Sequence, residues 1–351
     1  MPVALSIRAT DVRCPTLNQL PPPPPGKTGW PWTEGTPPFP AGPTGGESWP
    51  RISVITPSYN QGRFLEETIR SVLLQGYPDL EYIIMDGGST DGSLDIIRRY
   101  EPWLAYWVSQ PDGGQTGAIN VGWMRATGEI LAYLNSDDYY LPGATTAAAR
   151  AFCRSPDVAM VYGTASIVDE HGNELSKWEA RPFDLKQMLT SGSIVPQPAT
   201  FFSRSVVSGL GWLNETRQMI MDYELCTRIG MQFRTVCLPA TLARFRAHGE
   251  SKTWLQFETT ARELLDFVMG LKPNGTSERA WTTLRSGTLS RVHYEWAMAY
   301  LARGQGGSKP LKQLMMSIRL YPRFALGRPL LTAHLAKQLV LAYLRPRKAG
   351  S

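Results

Sequence analysis

Two adjacent carboxylates, Asp137 and Asp138, close the tetrapeptide Asn135-Ser136-Asp137-Asp138, which follows the apolar-rich run Glu129–Leu134. Paired Asp oxygens are hard ligands suited to Mg²⁺ or Mn²⁺, and a cation held this way commonly takes phosphate oxygens as further ligands. The competing reading is an exposed turn, since Asn, Ser and Asp all favour turns. Upstream, Asp86 opens Asp86-Gly87-Gly88-Ser89-Thr90-Asp91-Gly92. A lone Asp there can accept from a ribose hydroxyl or a base N–H, and the paired glycines let backbone approach a ligand closely. A plain Gly-rich turn would explain the same residues. Gly26-Lys27-Thr28 looks like the end of a P-loop, but it lacks the leading glycine and follows a proline run rather than a strand. No strand is followed by G-x-G-x-x-G.

The elements that must position these residues alternate. Ile52–Thr56 reads as a strand ending in Pro57-Ser58-Tyr59-Asn60-Gln61-Gly62, and a helix follows with Phe64, Leu65, Ile69, Val72 and Leu73 on one face. Glu81–Met85 is a second strand, followed by a helix through Leu94, Ile96 and Ile97. Leu104–Val108 is a third, leading into Pro111-Asp112-Gly113-Gly114-Gln115 and a helix over Ala118–Arg125. Strands alternating with helices predict a mostly parallel sheet covered on both faces. Ligands of such sheets sit beyond the carboxyl ends of the strands, which is where Asp86, Asp137 and Asp138 fall.

At these residues the chain resembles glycosyltransferase family 2, the inverting enzymes with the GT-A fold. The strand with Thr-Pro-Ser-Tyr-Asn, the strand with Asp-Gly-Gly-Ser-Thr-Asp-Gly and the Asn-Ser-Asp-Asp match in order and spacing, and the likeness runs from about residue 51 to about residue 253. The resemblance implies that Pro57, Ser58, Tyr59 and Asn60 line a nucleotide pocket, and that Asp86, with Gly88, holds the base or ribose. Asp112, Gln115 and Asn120 would approach the donor. Ser136 and Asp137 would reach the ribose, and Asp138, Asp137 and His248 would hold Mg²⁺ or Mn²⁺. Asn135 stands where an Asp is common, and Gly117 and Val121 stand where an Asp and a Lys are frequent. These departures bear on the sugar and phosphate contacts of the donor.

The second half should supply the acceptor side. Val158–Gly163 reads as a strand, and Ser166–Asp169 continues the sheet pattern before a His171-Gly172-Asn173 turn. Gln197–Phe202 resembles the short strand beside the family's acceptor cleft. Met221-Asp222-Tyr223-Glu224-Leu225 opens a helix with Leu225, Ile229 and Phe233 on one side. A carboxylate at a helix start is often only a cap or a dipole partner; the resemblance makes Asp222 the catalytic base, with Glu224, like Gln197, on the acceptor side. An inverting transfer is one in-line displacement, so a base must take the proton of the attacking hydroxyl. His248 follows Arg244 and Arg246, whose guanidinium forks would fit phosphate.

The 351 residues carry a net charge of +6, too mild to demand nucleic-acid binding. Cys14, Cys153, Cys226 and Cys237 lack zinc spacing and fit a reduced cytoplasmic protein. Neither a signal peptide nor a bilayer-spanning stretch is expected. The predicted organisation is a Pro/Trp-rich arm over 1–50, a catalytic domain over 51–254 (donor half to about 143, acceptor half beyond) and a helical C-terminal extension over 255–351. Trp30, Trp32 and Trp49 should pack the arm on the catalytic domain, unless the arm is disordered. The stretch Leu330–Leu344, flanked by Arg and Lys, reads as a basic amphipathic helix that either lies on the inner membrane surface or packs with its basic face solvated.

The reading that joins these observations is a metal-dependent inverting transferase. It would move a sugar from a nucleoside diphosphate donor, a UDP-sugar foremost, to a glycan or lipid-linked acceptor in bacterial cell-surface polysaccharide assembly. Its rivals are a catalytically inactive sugar- or nucleotide-binding homologue, a nucleotidyltransferase and a peripheral membrane-binding module.

Overall fold

Seven consecutive buried residues, Ile52–Ser58, form a central strand of the sheet, as a run apolar on both faces must when helices cover both sides. The computed structural model describes residues 3–4, 15–36, 48–249, 252, 256–271, 275–305 and 308–326. The strands are β1 (Val3–Ala4), β2 (Ile52–Ser58), β3 (Leu80–Asp86), β4 (Tyr106–Ser109), β5 (Ile130–Tyr133), β6 (Tyr139–Tyr140), β7 (Val158–Val168), β8 (Glu174–Trp178), β9 (Thr200–Ser203) and β10 (Arg234–Arg246). They make one sheet in the order β1-β4-β3-β2-β5-β9-β7-β10-β6, with β8 beside β7. β4, β3, β2 and β5 are mutually parallel; β9 runs antiparallel to β5 and β7, and β10 is parallel to β7. This is the mixed, mostly parallel sheet expected of a GT-A fold.

The helices that follow in chain order are α1 (Gly62–Leu73), α2 (Ser93–Tyr100), α3 (Gln115–Arg125), α4 (Ala144–Arg154), α5 (Leu185–Ser191), α6 (Arg204–Gly209) and α7 (Met221–Gly230). The apolar face predicted for α1 is buried throughout, from Phe64 to Leu73. α3 lies so close to β2 that a Cβ on Gly122 would come within 2.8 Å of the Ile55 side chain.

One predicted helix ends early and one strand is not predicted. β7 runs unbroken through Gly163, continuing the predicted sheet pattern, and packs so close to β10 there that a Cβ would come within 2.6 Å of the Ala240 carbonyl. α7 stops at Gly230, so Phe233 lies beyond it and is exposed rather than on the helix's apolar side. β10 has no predicted counterpart; its pairing with β7 shifts register between Cys237 and Thr241, around Pro239, which cannot donate to the ladder.

The N-terminal tryptophans are packed. Trp32 is buried, Trp30 and Trp49 pack on the core, and Trp30 Nε1 donates to the Tyr140 carbonyl at 2.7 Å. The fully buried Arg70 holds the arm by donating to the carbonyls of Pro21, Pro31 and Trp32 at 2.7, 3.0 and 3.0 Å.

The chain divides into two compact units, residues 1–184 with 193–248, and residues 185–192 with 249–351. The second contains α5 and the helices Phe257–Gly270, Glu278–Ala302, Ser308–Leu320 and Pro322–Leu326. None of the described helices is long and apolar enough to cross a membrane. The predicted basic helix over 330–344 lies outside the described residues.

Candidate active site

The parallel register aligns three polar residues at the carboxyl ends of neighbouring strands: Ser58 on β2 faces Asp86 on β3, which faces Ser109 on β4. Asp86 is 1% exposed, and its carboxylate accepts from Ser109 Oγ (2.6 Å), Ser89 Oγ (2.6 Å), Ser89 N (2.9 Å) and Gly88 N (3.1 Å). It therefore shapes its own loop as well as lining the edge. Gly88 takes a φ of +85°, which favours glycine, and a Cβ on Gly87 would meet both Asp112 Oδ2 and the Tyr59 ring at 3.3 Å. Asn60 laces the loops together: its backbone N–H donates to Ser89 Oγ and its side-chain Oδ1 accepts from Thr90 N, each at 2.8 Å. Tyr59 is 64% exposed at the rim. Ser58 is 4% exposed, and its hydroxyl has no hydrogen-bond partner among the described residues. A buried polar group left open in this way calls for a ligand or a water.

Beyond β5, Asp137 and Asp138 point to different surroundings. Asp137 is partly exposed, and its Oδ2 lies 3.0 Å from His248 Nε2. The His248 ring, 1% exposed, is tilted against Phe64 at 5.2 Å between centroids. Asp138 is turned inward: it is 1% exposed and its Oδ1 accepts from the Arg246 backbone N–H at 2.9 Å. Burial, and next the neighbouring Asp137 charge, pushes its carboxyl well above the usual range. Ser136, just before them in sequence, is buried. Arg246, predicted as a phosphate partner, is instead spent on the protein. It donates to the Asp137 and Glu170 carbonyls and pairs with Glu67 Oε2 at 3.0 Å. Arg244 likewise donates to Tyr139 Oη and the Gly172 carbonyl.

Asn135 is the middle of an amide chain. Its Oδ1 accepts from Gln115 Nε2 at 2.7 Å, and its Nδ2 donates to Gln197 Oε1 at 3.2 Å and to Asp138 Oδ2 at 3.5 Å. Gln197 in turn donates to the Tyr133 carbonyl at 2.9 Å, so the residue expected at the acceptor cleft is tied to the end of β5. Asn120 is 4% exposed and fully used: it exchanges hydrogen bonds with the Leu213 backbone and donates to Glu215 Oε1. It holds the loop that delivers α7. Asp112 is exposed and accepts from Gly114 N at 2.8 Å.

Asp222 stands in the first turn of α7. Part of the residue is exposed, but its carboxyl sits in dense protein, and burial raises its pKa against the pull of the Tyr223 and Asp222 backbone N–H groups. Glu224 is 6% exposed and pairs with Arg228 at 2.8 Å; Arg228 also donates to the carbonyls of Leu210 and Trp212. One site residue has no counterpart in the sequence reading. Tyr133 is 1% exposed and its hydroxyl has no partner among the described residues. Burial, then the charges of Asp222, Cys226 and Asp138, raises its pKa, so the α7 start and the β5 edge act on one buried hydroxyl. A Tyr inside an otherwise aliphatic strand run is the only sequence signal for it.

A mixed sheet with carboxylates gathered at the carboxyl edge of its parallel strands defines a transferase of the GT-A class. The profile of glycosyl transferase family 2 matches residues 53–208. An uncharacterised glycosyltransferase of Mycobacterium tuberculosis is 32% identical over 204 residues, covering 58% of this chain and 77% of that protein. The chain belongs to glycosyltransferase family 2 and is a glycosyltransferase. Among solved structures, S. aureus TarS in complex with UDP-GlcNAc superposes with a TM-score of 0.58 at 16% identity, over 84% of this chain and 89% of that one. The mannosyltransferase PcManGT from Pyrobaculum calidifontis, in complex with GDP-Man and Mn²⁺, gives 0.52 at 22% identity, over 84% and 86%.

Proposed function

We propose that this glycosyltransferase moves a sugar from a nucleoside diphosphate donor, a UDP-sugar foremost, to a hydroxyl of a glycan or lipid-linked acceptor with inversion. The role would be in bacterial cell-surface polysaccharide assembly. The observation that supports this reading is the Asp137 carboxylate 3.0 Å from the His248 imidazole beyond β5, with Asp222, whose pKa burial raises, in the first turn of α7. The UDP-GlcNAc bound by TarS and the GDP-Man and Mn²⁺ bound by the mannosyltransferase support a nucleotide-sugar donor and a cation.

Ser58 and Asp86 would receive the nucleoside, the open Ser58 hydroxyl finding its partner there, with Tyr59 and Asp112 at the rim. Among the described residues no three His, Cys, Asp or Glu groups form a closed cation cage. A carboxylate oxygen beside an imidazole nitrogen nevertheless suits Mg²⁺ or Mn²⁺ whose remaining ligands are phosphate oxygens. Asp137 and His248 would hold it. When bound, the cation neutralises charge on the departing diphosphate as a Lewis acid. Asp138 fits a supporting role better than that of a direct ligand, because it is buried and secures the backbone of Arg246, two residues before His248. Asp222 would accept the proton of the attacking hydroxyl as that oxygen bonds to the anomeric carbon and the diphosphate leaves. Glu224 would keep α7 in place through Arg228.

Thermal shifts and hydrolysis measured across UDP-, GDP- and dTDP-sugars, with and without Mn²⁺ or Mg²⁺, test the reading. One donor should stabilise the protein only with cation. If no nucleotide sugar moves the melting curve under either metal, the donor assignment fails and an inactive homologue becomes the better account.

A further inference from the structure

We propose that the helix Ser308–Leu320 is a membrane-docking face, laying Leu311, Met315 and Ile318 into the headgroup boundary of an anionic lipid surface. Leu311, Leu314, Met315 and Ile318 recur at the spacing of an amphipathic helix, but not all of them are buried. Instead the helix buries Pro310, Leu314 and Ser317. Ser317 meets Ser290 Oγ on Glu278–Ala302, which donates to its carbonyl at 2.8 Å, and Gln313 bonds His293 at 2.6 Å. That fixes the inward face. Leu311, Met315 and Ile318, spaced i, i+4 and i+7, form a stripe beside that face and are 43, 63 and 41% exposed. Lys312 and Arg319, also exposed, follow 311 and 318 and lie along one flank of this stripe.

Charge says what covers the stripe. From Trp296 to Ser351 the sequence has ten Lys and Arg (303, 309, 312, 319, 323, 328, 337, 345, 347 and 348) and neither Asp nor Glu. With +6 for the whole chain, this end carries +10 and the first 295 residues carry 6 − 10 = −4. Neither residues 327–351 nor the same segment of a second copy brings an Asp or Glu to balance Lys312 and Arg319. A soluble polyanion matches the charge but gives the apolar side chains nowhere to go. A leaflet of anionic lipid supplies phosphates for the flank and an apolar boundary for the stripe.

The inference does not depend on the donor site, because vesicle binding needs no nucleotide sugar. The test is sedimentation of the full chain with phosphatidylcholine vesicles and with vesicles of equal parts phosphatidylcholine and phosphatidylglycerol. Wild type should partition onto the anionic vesicles and not the neutral ones, and added salt should weaken binding. Lys312→Glu with Arg319→Glu should lose at least about 25-fold, about fivefold for each basic residue near the surface. The triple change Leu311→Gln, Met315→Gln, Ile318→Gln should lose at least about tenfold while keeping its melting temperature, since all three side chains are exposed. Wild type that ignores anionic vesicles, or a triple variant that binds them as wild type does, overturns the proposal. So does binding to heparin or DNA without binding to vesicles, or a concentration-dependent dimer abolished by the triple change.

Discussion

At the residue scale, Asp222 carries linked predictions for rate and stability. A base must be ionised, and burial raises this carboxyl's pKa, so turnover should climb with pH through a value above the ordinary aspartate range. Stability should run the other way. A folded-state pKa above the unfolded one favours folding at pH below the unfolded value, and that contribution is lost as pH rises through the folded value. Asp222→Asn should therefore cost about 10²- to 10⁴-fold in kcat. Its melting temperature at pH 8 should equal or exceed that of wild type, a gap that narrows in acid. A pH series of rates and melting curves checks both. The sequence singled out Asp137, His248 and Asp222 by their likeness to the family's motifs, and the first two lie within 3.0 Å of each other. Tyr133 and the Arg246 hub were not legible in it, because their roles arise from what tertiary packing encloses. Arg246 in isolation reads as a phosphate ligand; only its contacts with Glu67, Glu170 and Asp137 show it engaged.

At the scale of elements, two contacts place the site. α3 carries Gln115 toward Asn135 and rests on β2 through Gly122, where a methyl group would press into Ile55 at 2.8 Å. Gly122→Ala should cost about 1–3 kcal/mol by overpacking and weaken donor binding through the displaced Gln115, as chemical denaturation and titration would show. α7 is held by the pair of Glu224 and Arg228, both largely buried. Glu224→Gln leaves the guanidinium without its counter-charge and should cost about 3 kcal/mol, while donor affinity stays near wild type. The alternation of apolar strand and amphipathic helix made β2 to β5 and α1 to α3 readable. β10 was hidden because Pro239 and the register slips around it break the period by which strands are recognised.

Across the whole molecule, a fully buried Arg70 joins the N-terminal arm to the catalytic unit by solvating its charge with three arm carbonyls. Arg70→Met should cost about 3–5 kcal/mol and open residues 21–35 to limited proteolysis, a cut that wild type should resist. Composition revealed the arm as proline-rich and extended, and its tryptophans hinted at packing, but nothing local marks Arg70 as the residue that receives it. Nor does local pattern show that residues 185–192 group with the C-terminal helices, since that membership depends on where the chain returns in space.

The central claim is that one end of the sheet separates donor binding from proton removal. The most direct measurement is UDP affinity with and without Mn²⁺, beside turnover of the matched UDP-sugar, for wild type, Asp137→Asn and Asp222→Asn. Asp137→Asn should lose at least about tenfold of the Mn²⁺-dependent affinity, in keeping with loss of a metal ligand. Asp222→Asn should bind UDP as wild type does yet form almost no product. UDP affinity indifferent to both Mn²⁺ and Asp137, or an Asp222→Asn protein turning over within a few-fold of wild type, would contradict the account.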